Sequence, residues 1–97
     1  MREILEELNK RGFEEISKEI IERSKNVAAG SSVHFNMHSR IGTCFVNAIP
    51  VVNGLGAVYI NWYRSATGRK LYIKKEDGKI NITELSDPIF EKAQLLR

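Results

Sequence analysis

Three segments that alternate apolar and polar residues occupy residues 57–85, AVYINWYRSATGRKLYIKKEDGKINITEL, with two turn signals between them. Alternation of this kind is typical of half-buried β-strands, because successive side chains of a strand point to opposite faces of the sheet. The turn signals are Ser65-Ala66-Thr67-Gly68 and Asp77-Gly78. The stretch therefore predicts three antiparallel strands, at residues 56 or 57 to 64, 69–76 and 79–85.

The two turns predict which residues pair across these strands. A four-residue loop at 65–68 places Ile60 opposite Ile73 and Arg64 opposite Arg69. A two-residue loop at 77–78 places Ile73 opposite Ile82. Isoleucines from three strands then share one face of the sheet, which we call the isoleucine face. The opposite face carries Asn61, Tyr72 and Thr83.

Two further strands are predicted earlier in the chain, at residues 33–40 and 43–52. The first alternates, whereas the second is apolar on both sides, and Asn53-Gly54 after it is a strong hairpin signal. Hairpin loops of two or of four residues at that point place the residues of the second strand on the same faces of the sheet. The residues expected on the isoleucine face are Val33, Phe35, Met37, Phe45, Ile49 and Val51. Those of the second strand expected on the opposite face are Cys44, Val46 and Ala48.

The N-terminal residues supply an apolar cover for the isoleucine face. Between residues 2 and about 25, apolar residues recur at helical spacings with Glu and Lys between them. Gly12 interrupts this pattern. Because glycine costs about 1 kcal/mol against alanine in a helix interior, either a kink or a break into two helices is expected there. Ser86-Asp87-Pro88 has the pattern of an N-cap with proline at the first helical position, and it predicts a short helix over 89–96.

Together these elements predict one α+β domain over residues 1–97. Its N-terminal helix packs on one face of an antiparallel meander of about five strands, and a short C-terminal helix follows. The single Cys44 excludes an internal disulfide and a cysteine-based zinc site. The N-terminus lacks the apolar core of a signal peptide, and the longest apolar run falls short of the roughly 20 residues of a membrane helix. A cytoplasmic protein without a membrane partner is therefore expected.

Charge and aromatic residues concentrate in the middle of the chain. Residues 26–75 contain six Lys and Arg and no Asp or Glu, a formal charge of +6, whereas residues 1–25 sum to −1. The same central stretch holds six of the eight aromatic residues. Tyrosines at alternate strand positions offer stacking surfaces, and lysines among them offer charge to phosphate, which is the pattern of a sheet that binds single-stranded nucleic acid or a nucleotide.

The sequence thus predicts a non-enzymatic binding module for such an anionic ligand, with no cofactor. Three tyrosines would stack, the Lys and Arg residues would contact phosphate, and the His and Asn residues would hydrogen-bond. The proposed ligand-binding residues are His34, Asn36, His38, Arg40, Tyr59, Asn61, Tyr63, Arg64, Arg69, Lys70, Tyr72 and Lys74. The alternative is a small protein-interaction or inhibitor-type protein that forms a homo-oligomer, a homodimer for instance, through the same face. A plain solvated sheet face is the third interpretation.

Other chemistry finds less support in the sequence. His34 and His38 would lie about 13 Å apart on a strand, with no carboxylate nearby, so no metal site is predicted. The turn at 65–70 lacks the spacing of a phosphate-binding P-loop. Cys44 and His38 would be neighbours across the first hairpin. They could act as a nucleophile and a base, which is the basis of an enzyme hypothesis. However, no acid is placed to orient the histidine.

Overall fold

The computed structural model describes residues 3–52, 54–64 and 68–85, and of Arg64 it describes the backbone only. Two helices, α1 (Glu3–Lys10) and α2 (Glu14–Ser24), precede all the strands. The strands are β1 (Val33–Ser39), β2 (Gly42–Val51), β3 (Gly54–Arg64), β4 (Lys70–Glu76) and β5 (Lys79–Leu85). They form one antiparallel sheet in the order β1-β2-β3-β4-β5, which confirms the predicted α+β class. The helix predicted over 89–96 lies outside the described residues.

Gly12 breaks the N-terminal helical segment into two helices, one of the two expected outcomes. Its φ of +87° belongs to the left-handed region that glycine adopts without steric cost. The amide of Phe13 donates a 2.9 Å hydrogen bond to the carbonyl of Leu8, which ends α1 with its backbone paired. The break brings the fully buried Phe13 ring to 5.0 Å from the ring of Trp62, centroid to centroid. It also lets α1 pack on β3 and β4 while α2 packs on β1.

The core lies between these helices and one face of the sheet. Helix residues Ile4, Leu8, Ile16 and Ile20 are almost completely buried there. Their sheet partners are Val33, Phe35, Cys44, Val46, Ala48, Leu55, Val58, Ile60, Trp62, Leu71 and Ile73. Since full burial of an aliphatic or aromatic side chain stabilises by about 1.5–3 kcal/mol, this layer dominates the folding free energy.

The register of the last hairpin is as predicted, and that of the hairpin before it is not. Ile73 pairs with Ile82 across β4 and β5. Between β3 and β4, however, Ile60 pairs with Leu71 instead of Ile73. The amide of Trp62 donates to the carbonyl of Arg69, so the connection is longer than the expected loop at 65–68, and Arg64 does not face Arg69. Because the shift is two residues, each side chain stays on its predicted face.

The faces of β2 are the reverse of the prediction, and a β-bulge is the reason. Pro50 pairs with Leu55 and Ile49 with Ala57, so Gly56 is an extra residue on β3. A single extra residue exchanges the two faces of everything beyond it. The residues turned toward the helices, each fully buried, are Cys44, Val46 and Ala48. Those turned to the opposite face are Phe45 and Ile49.

Glycine is favoured at the bulge because a side chain would have little room there. A Cβ built on Gly56 would lie 3.0 Å from Cγ1 of Val51, which is tighter than ordinary van der Waals contact. The hairpin that follows β2 closes with Val51 opposite Gly54, which puts its loop at residues 52–53. Asn53 itself lies outside the described residues.

Candidate interaction surface on the open sheet face

The face of the sheet turned away from the two helices is called the open face here. Alternate residues of all five strands form it in cross-strand rows. One row runs His34, Asn47, Tyr59, Tyr72 and Thr83, and its neighbour runs Asn36, Phe45, Asn61, Lys70 and Leu85. The remaining members are His38, Thr43, Ile49, Ala57, Tyr63, Lys74, Glu76, Lys79 and Asn81. Most of the predicted ligand-binding residues are thus brought together on one surface.

Aromatic side chains run across the middle of the open face. The rings of Tyr59 and Tyr72 lie 6.2 Å apart at an interplanar angle of 57°, within the range of favourable tilted pairs. The rings of His34 and Phe45 lie 6.4 Å apart. Tyr72 is 40% exposed, so a face of its ring stays open to a partner. The surface is therefore partly ordered before any partner binds.

Most polar groups on the open face are neutral. The hydroxyl of Tyr63 donates to Oδ1 of Asn36 at 3.1 Å. Thr43 Oγ1 and His38 Nδ1 lie 2.9 Å apart at the edge of the surface. Within the described residues, the buried Oδ1 of Asn47 has no hydrogen-bond partner.

The charge of the open face is low. Lys74 Nζ lies 2.7 Å from a carboxylate oxygen of Glu76. The hydrogen bond between them and their opposite charges raise the pKa of Lys74 and lower the pKa of Glu76. Lys70 is exposed and forms no ion pair with any described carboxylate. Lys79 lies on the same face, paired with Glu76 across β4 and β5. Three lysines and one carboxylate therefore account for the Lys, Arg, Asp and Glu charges described on the open face.

Two arginines of the predicted set lie elsewhere, and for Arg40 this corrects the expected face. Arg40 follows the end of β1, and its Nη2 donates to the carbonyl of Arg11 at 3.3 Å. Its guanidinium lies 5.6 Å from the centre of the Phe13 ring, on the helix side. The alternation of β1 stops at Ser39, and the turn carries Arg40 around the sheet edge. The side chain of Arg64 lies outside the described residues.

Arg69 joins a charged cluster beside the helices. Its Nε donates to Oε1 of Glu84 at 2.6 Å, and Nη1 of Arg11 donates to Oε2 of the same carboxylate at 2.9 Å. Burial raises the pKa of Glu84, but the hydrogen bonds and charges of Arg69 and Arg11 outweigh it, so the pKa is lowered. The Arg69 guanidinium also lies 5.5 Å from the ring centres of Phe13 and Trp62. Its contacts hold β4 and β5 to the end of α1.

Cys44 and His38 do not form a catalytic pair in this fold. Cys44 pairs with Met37 on the buried face, whereas His38 pairs with Thr43 on the open face. Burial raises the pKa of the Cys44 thiol to about 11, and this outweighs a hydrogen bond with Ser39 that lowers it. A protonated, enclosed thiol is a poor nucleophile. In residues 3–52, 54–64 and 68–85, no three His, Cys, Asp or Glu side chains gather to hold a metal ion.

Several members of the open face were not in the predicted site, among them Phe45, Asn47, Ile49 and Leu85. Three of them reach it through the reversed faces of β2, and a glycine inside a strand is a known signal for the bulge that reverses them. Neither helix in the described part of the chain is long and apolar enough to cross a membrane. Comparison with protein-family models, with curated proteins and with solved structures finds no match to this chain.

Proposed function

We propose that this chain is a small protein-interaction module that pairs with a second copy of itself through the open face. The observation that supports it most is the bulge at Gly56. By reversing β2, it adds Phe45 and Ile49 to a surface that already displays three tyrosines. Arg40 and Arg69 meanwhile lie on the helix side.

The composition of the open face supports a protein partner. The buried centres of protein interfaces are rich in Tyr and Phe and poor in charged residues. Here the exposed apolar and aromatic side chains include Ile49, Tyr63, Tyr72 and Leu85, each between 38% and 57% exposed. Contiguous exposed surface of this kind marks sites of association.

The size of the face also suits a stable dimer. Five strands about 4.8 Å apart, each about seven residues long at about 3.3 Å per residue, span roughly 24 by 23 Å. The accessible surface of side chains on such an area exceeds its flat projection, and it approaches the roughly 800 Å² per partner of a standard interface. The three lysines and one carboxylate described on the face leave only a small positive excess, which salt screens, so two copies can meet without strong repulsion.

The test compares the same substitution on the two faces of the sheet. Ile49 on the open face is 38% exposed, and Ile82 on the helix-facing side of β5 is 39% exposed. In a symmetric dimer, Ile49→Lys places a charge from each copy in the shared surface and should lower the dimer affinity at least tenfold. Ile82→Lys adds the same charge elsewhere and should leave affinity unchanged. Sedimentation equilibrium over a wide range of protein concentration measures both.

Two outcomes would overturn the dimer. A wild-type chain that stays monomeric up to high micromolar concentration has no such interface. Equal weakening by Ile49→Lys and Ile82→Lys would show that the association does not use the open face. Circular dichroism on both variants confirms that each still folds.

Single-stranded nucleic acid is the second candidate ligand, supported by the adjacent Tyr59 and Tyr72 rings with Lys70 one row away. Stacking is worth about 1–3 kcal/mol per base, but phosphate contacts dominate affinity in this class. With three lysines on the face, log K should fall with log salt with a slope of only about −2.1. Fluorescence anisotropy with labelled single-stranded RNA measures it, and the absence of binding at low salt removes this candidate.

A further inference from the structure

A pocket of about 290 Å³ lies away from the open-face site, between the end of α2 and the hairpin that joins β2 to β3. Apolar side chains form most of its wall: Leu5, Ile20, Ile21, Val27, Pro50 and Leu55. The segment after α2 is held against the sheet by a 2.7 Å hydrogen bond from the amide of Gly30 to the carbonyl of Pro50. The pocket therefore has walls from three parts of the chain.

The volume sets the size of a ligand. A cavity of about 150 Å³ lined by aliphatic residues holds a six-carbon ring. At about twice that volume, this pocket accommodates an unbranched chain of about ten carbons. A flexible chain suits the site better than a rigid ring system, since the wall is made of separate aliphatic side chains.

The polar residues of the pocket indicate the head group. Ser24 belongs to the wall, but its Oγ is buried and is not presented to a ligand. Lys25 follows at the rim, where its Nζ lies 2.9 Å from Glu22. That pair is weak because the two side chains are 61% and 69% exposed, so the ammonium is available to a ligand anion.

The C-terminal end of α2 disfavours binding of an anion, so an anionic head group requires the positive charge of Lys25. The carbonyl end of a helix carries partial negative charge and weakens binding of an anion by up to about fivefold. Two of those carbonyls are already occupied, because the amides of Lys25 and Val27 donate to the carbonyls of Glu22 and Ser24. The full charge of Lys25 offsets what remains.

We infer that this pocket binds the alkyl chain of a medium-chain carboxylate, a saturated acid of about ten carbons. The chain lies among the aliphatic residues, and the carboxylate meets Lys25 at the rim. This site is separate from the proposed dimer surface, and its occupancy does not depend on dimerisation.

The test is calorimetric titration of the full chain with hexanoate, octanoate and decanoate below their micelle-forming concentrations. Because each buried methylene improves affinity about fourfold, each step of two carbons should improve it about fifteenfold. Decanol and decyltrimethylammonium serve as neutral and cationic head groups, and decanoate should bind most tightly of the three. Lys25→Gln should remove that preference, while Lys18→Gln on the same helix should keep it.

Two further variants separate the pocket from general surface binding. Ala29 is exposed and lines the rim, so Ala29→Trp should block the pocket without disturbing the core. Decanoate binding should persist in Ile49→Lys, whatever its oligomeric state. Affinity independent of chain length, tighter binding of the cation, or unchanged binding in Ala29→Trp would overturn the inference.

Discussion

The indole Nε1 of Trp62 donates a 2.7 Å hydrogen bond to Oγ of Ser39. Trp62 is the largest fully buried side chain of the protein, and Ser39 ends the first strand. The Ser39 hydroxyl in turn donates to the carbonyl of Gly42 at 2.8 Å. One hydroxyl thus joins the centre of the core to the turn between β1 and β2.

Loss of this hydroxyl should destabilise the fold. Ser39→Ala removes the acceptor of a buried indole N–H, which costs about 1–3 kcal/mol when no other partner replaces it. Urea unfolding followed by circular dichroism gives the free energy of unfolding. Ser32→Ala, an exposed serine just before β1, is the control and should change stability by less than about 0.5 kcal/mol. Equal effects at the two positions would show that the hydrogen bond contributes nothing.

Gly12 should tolerate alanine less well than Gly78 does. Both have positive φ, +87° and +77°, so alanine costs about 1 kcal/mol at either position. A Cβ at Gly12 also meets Nη2 of Arg40 at 2.8 Å, whereas nothing lies within 4 Å of one at Gly78. Because the guanidinium of Arg40 can move aside, alanine should cost only about 0.5 kcal/mol more at Gly12 than at Gly78. This extra cost is the contribution of the Arg40 contacts that are lost. In an Arg40→Ala background this extra cost at Gly12 should vanish. If it persists, it arises from the backbone conformation and not from Arg40.

Cys44 should make the fold lose stability at high pH. Burial raises the pKa of its thiol from 9.0 to about 11, so in this interval the unfolded chain releases a proton that the folded chain keeps. The stabilisation is complete below the unfolded pKa and falls as pH rises toward the folded one, by about 3 kcal/mol in all. Chemical unfolding of wild type and Cys44→Ala at several pH values gives the free energy of unfolding of each. The effect of Cys44 is the difference between the two proteins in how steeply this free energy falls with pH.

The same burial predicts how fast the thiol reacts. In native protein, a thiol-specific reagent should modify Cys44 only as fast as the chain opens, and in urea it should react at once. Rapid modification of the native protein at neutral pH would contradict the buried placement of this residue.

Glu84 should contribute stability that is lost in acid. Its pKa is lowered by Arg69 and Arg11 against the effect of burial, so the contribution is present above the unfolded pKa and disappears as pH falls through the folded one. Because the Glu84 side chain is 36% exposed, Glu84→Gln should cost less than about 1 kcal/mol at neutral pH. The variant should also lose less stability than wild type on acidification. Glu22→Gln, from the more exposed pair with Lys25, is the control and should cost less.

Local sequence was enough to predict most of the elements and one register. The residues of β5 and its pairing with β4 follow from alternation and from the tight turn at Asp77-Gly78, since a two-residue loop allows one register. The helix break at Gly12 was one of two readings of a glycine in a helical pattern. These features depend on a few neighbouring residues, and so sequence reasoning reaches them.

Which face of β2 is buried was decided only by the tertiary structure. Both faces of that strand are apolar, so alternation cannot choose between Val46 and Phe45, and the choice depends on the bulge at Gly56 in the next strand. The directions of Arg40 and Arg69 likewise depend on partners distant in sequence, Phe13 and Glu84. The sequence by itself determined the order of the elements and the basic, aromatic character of the central stretch. Packing against the helices decided which of those side chains share the open face, because a one-residue shift in pairing reverses a strand at little local cost.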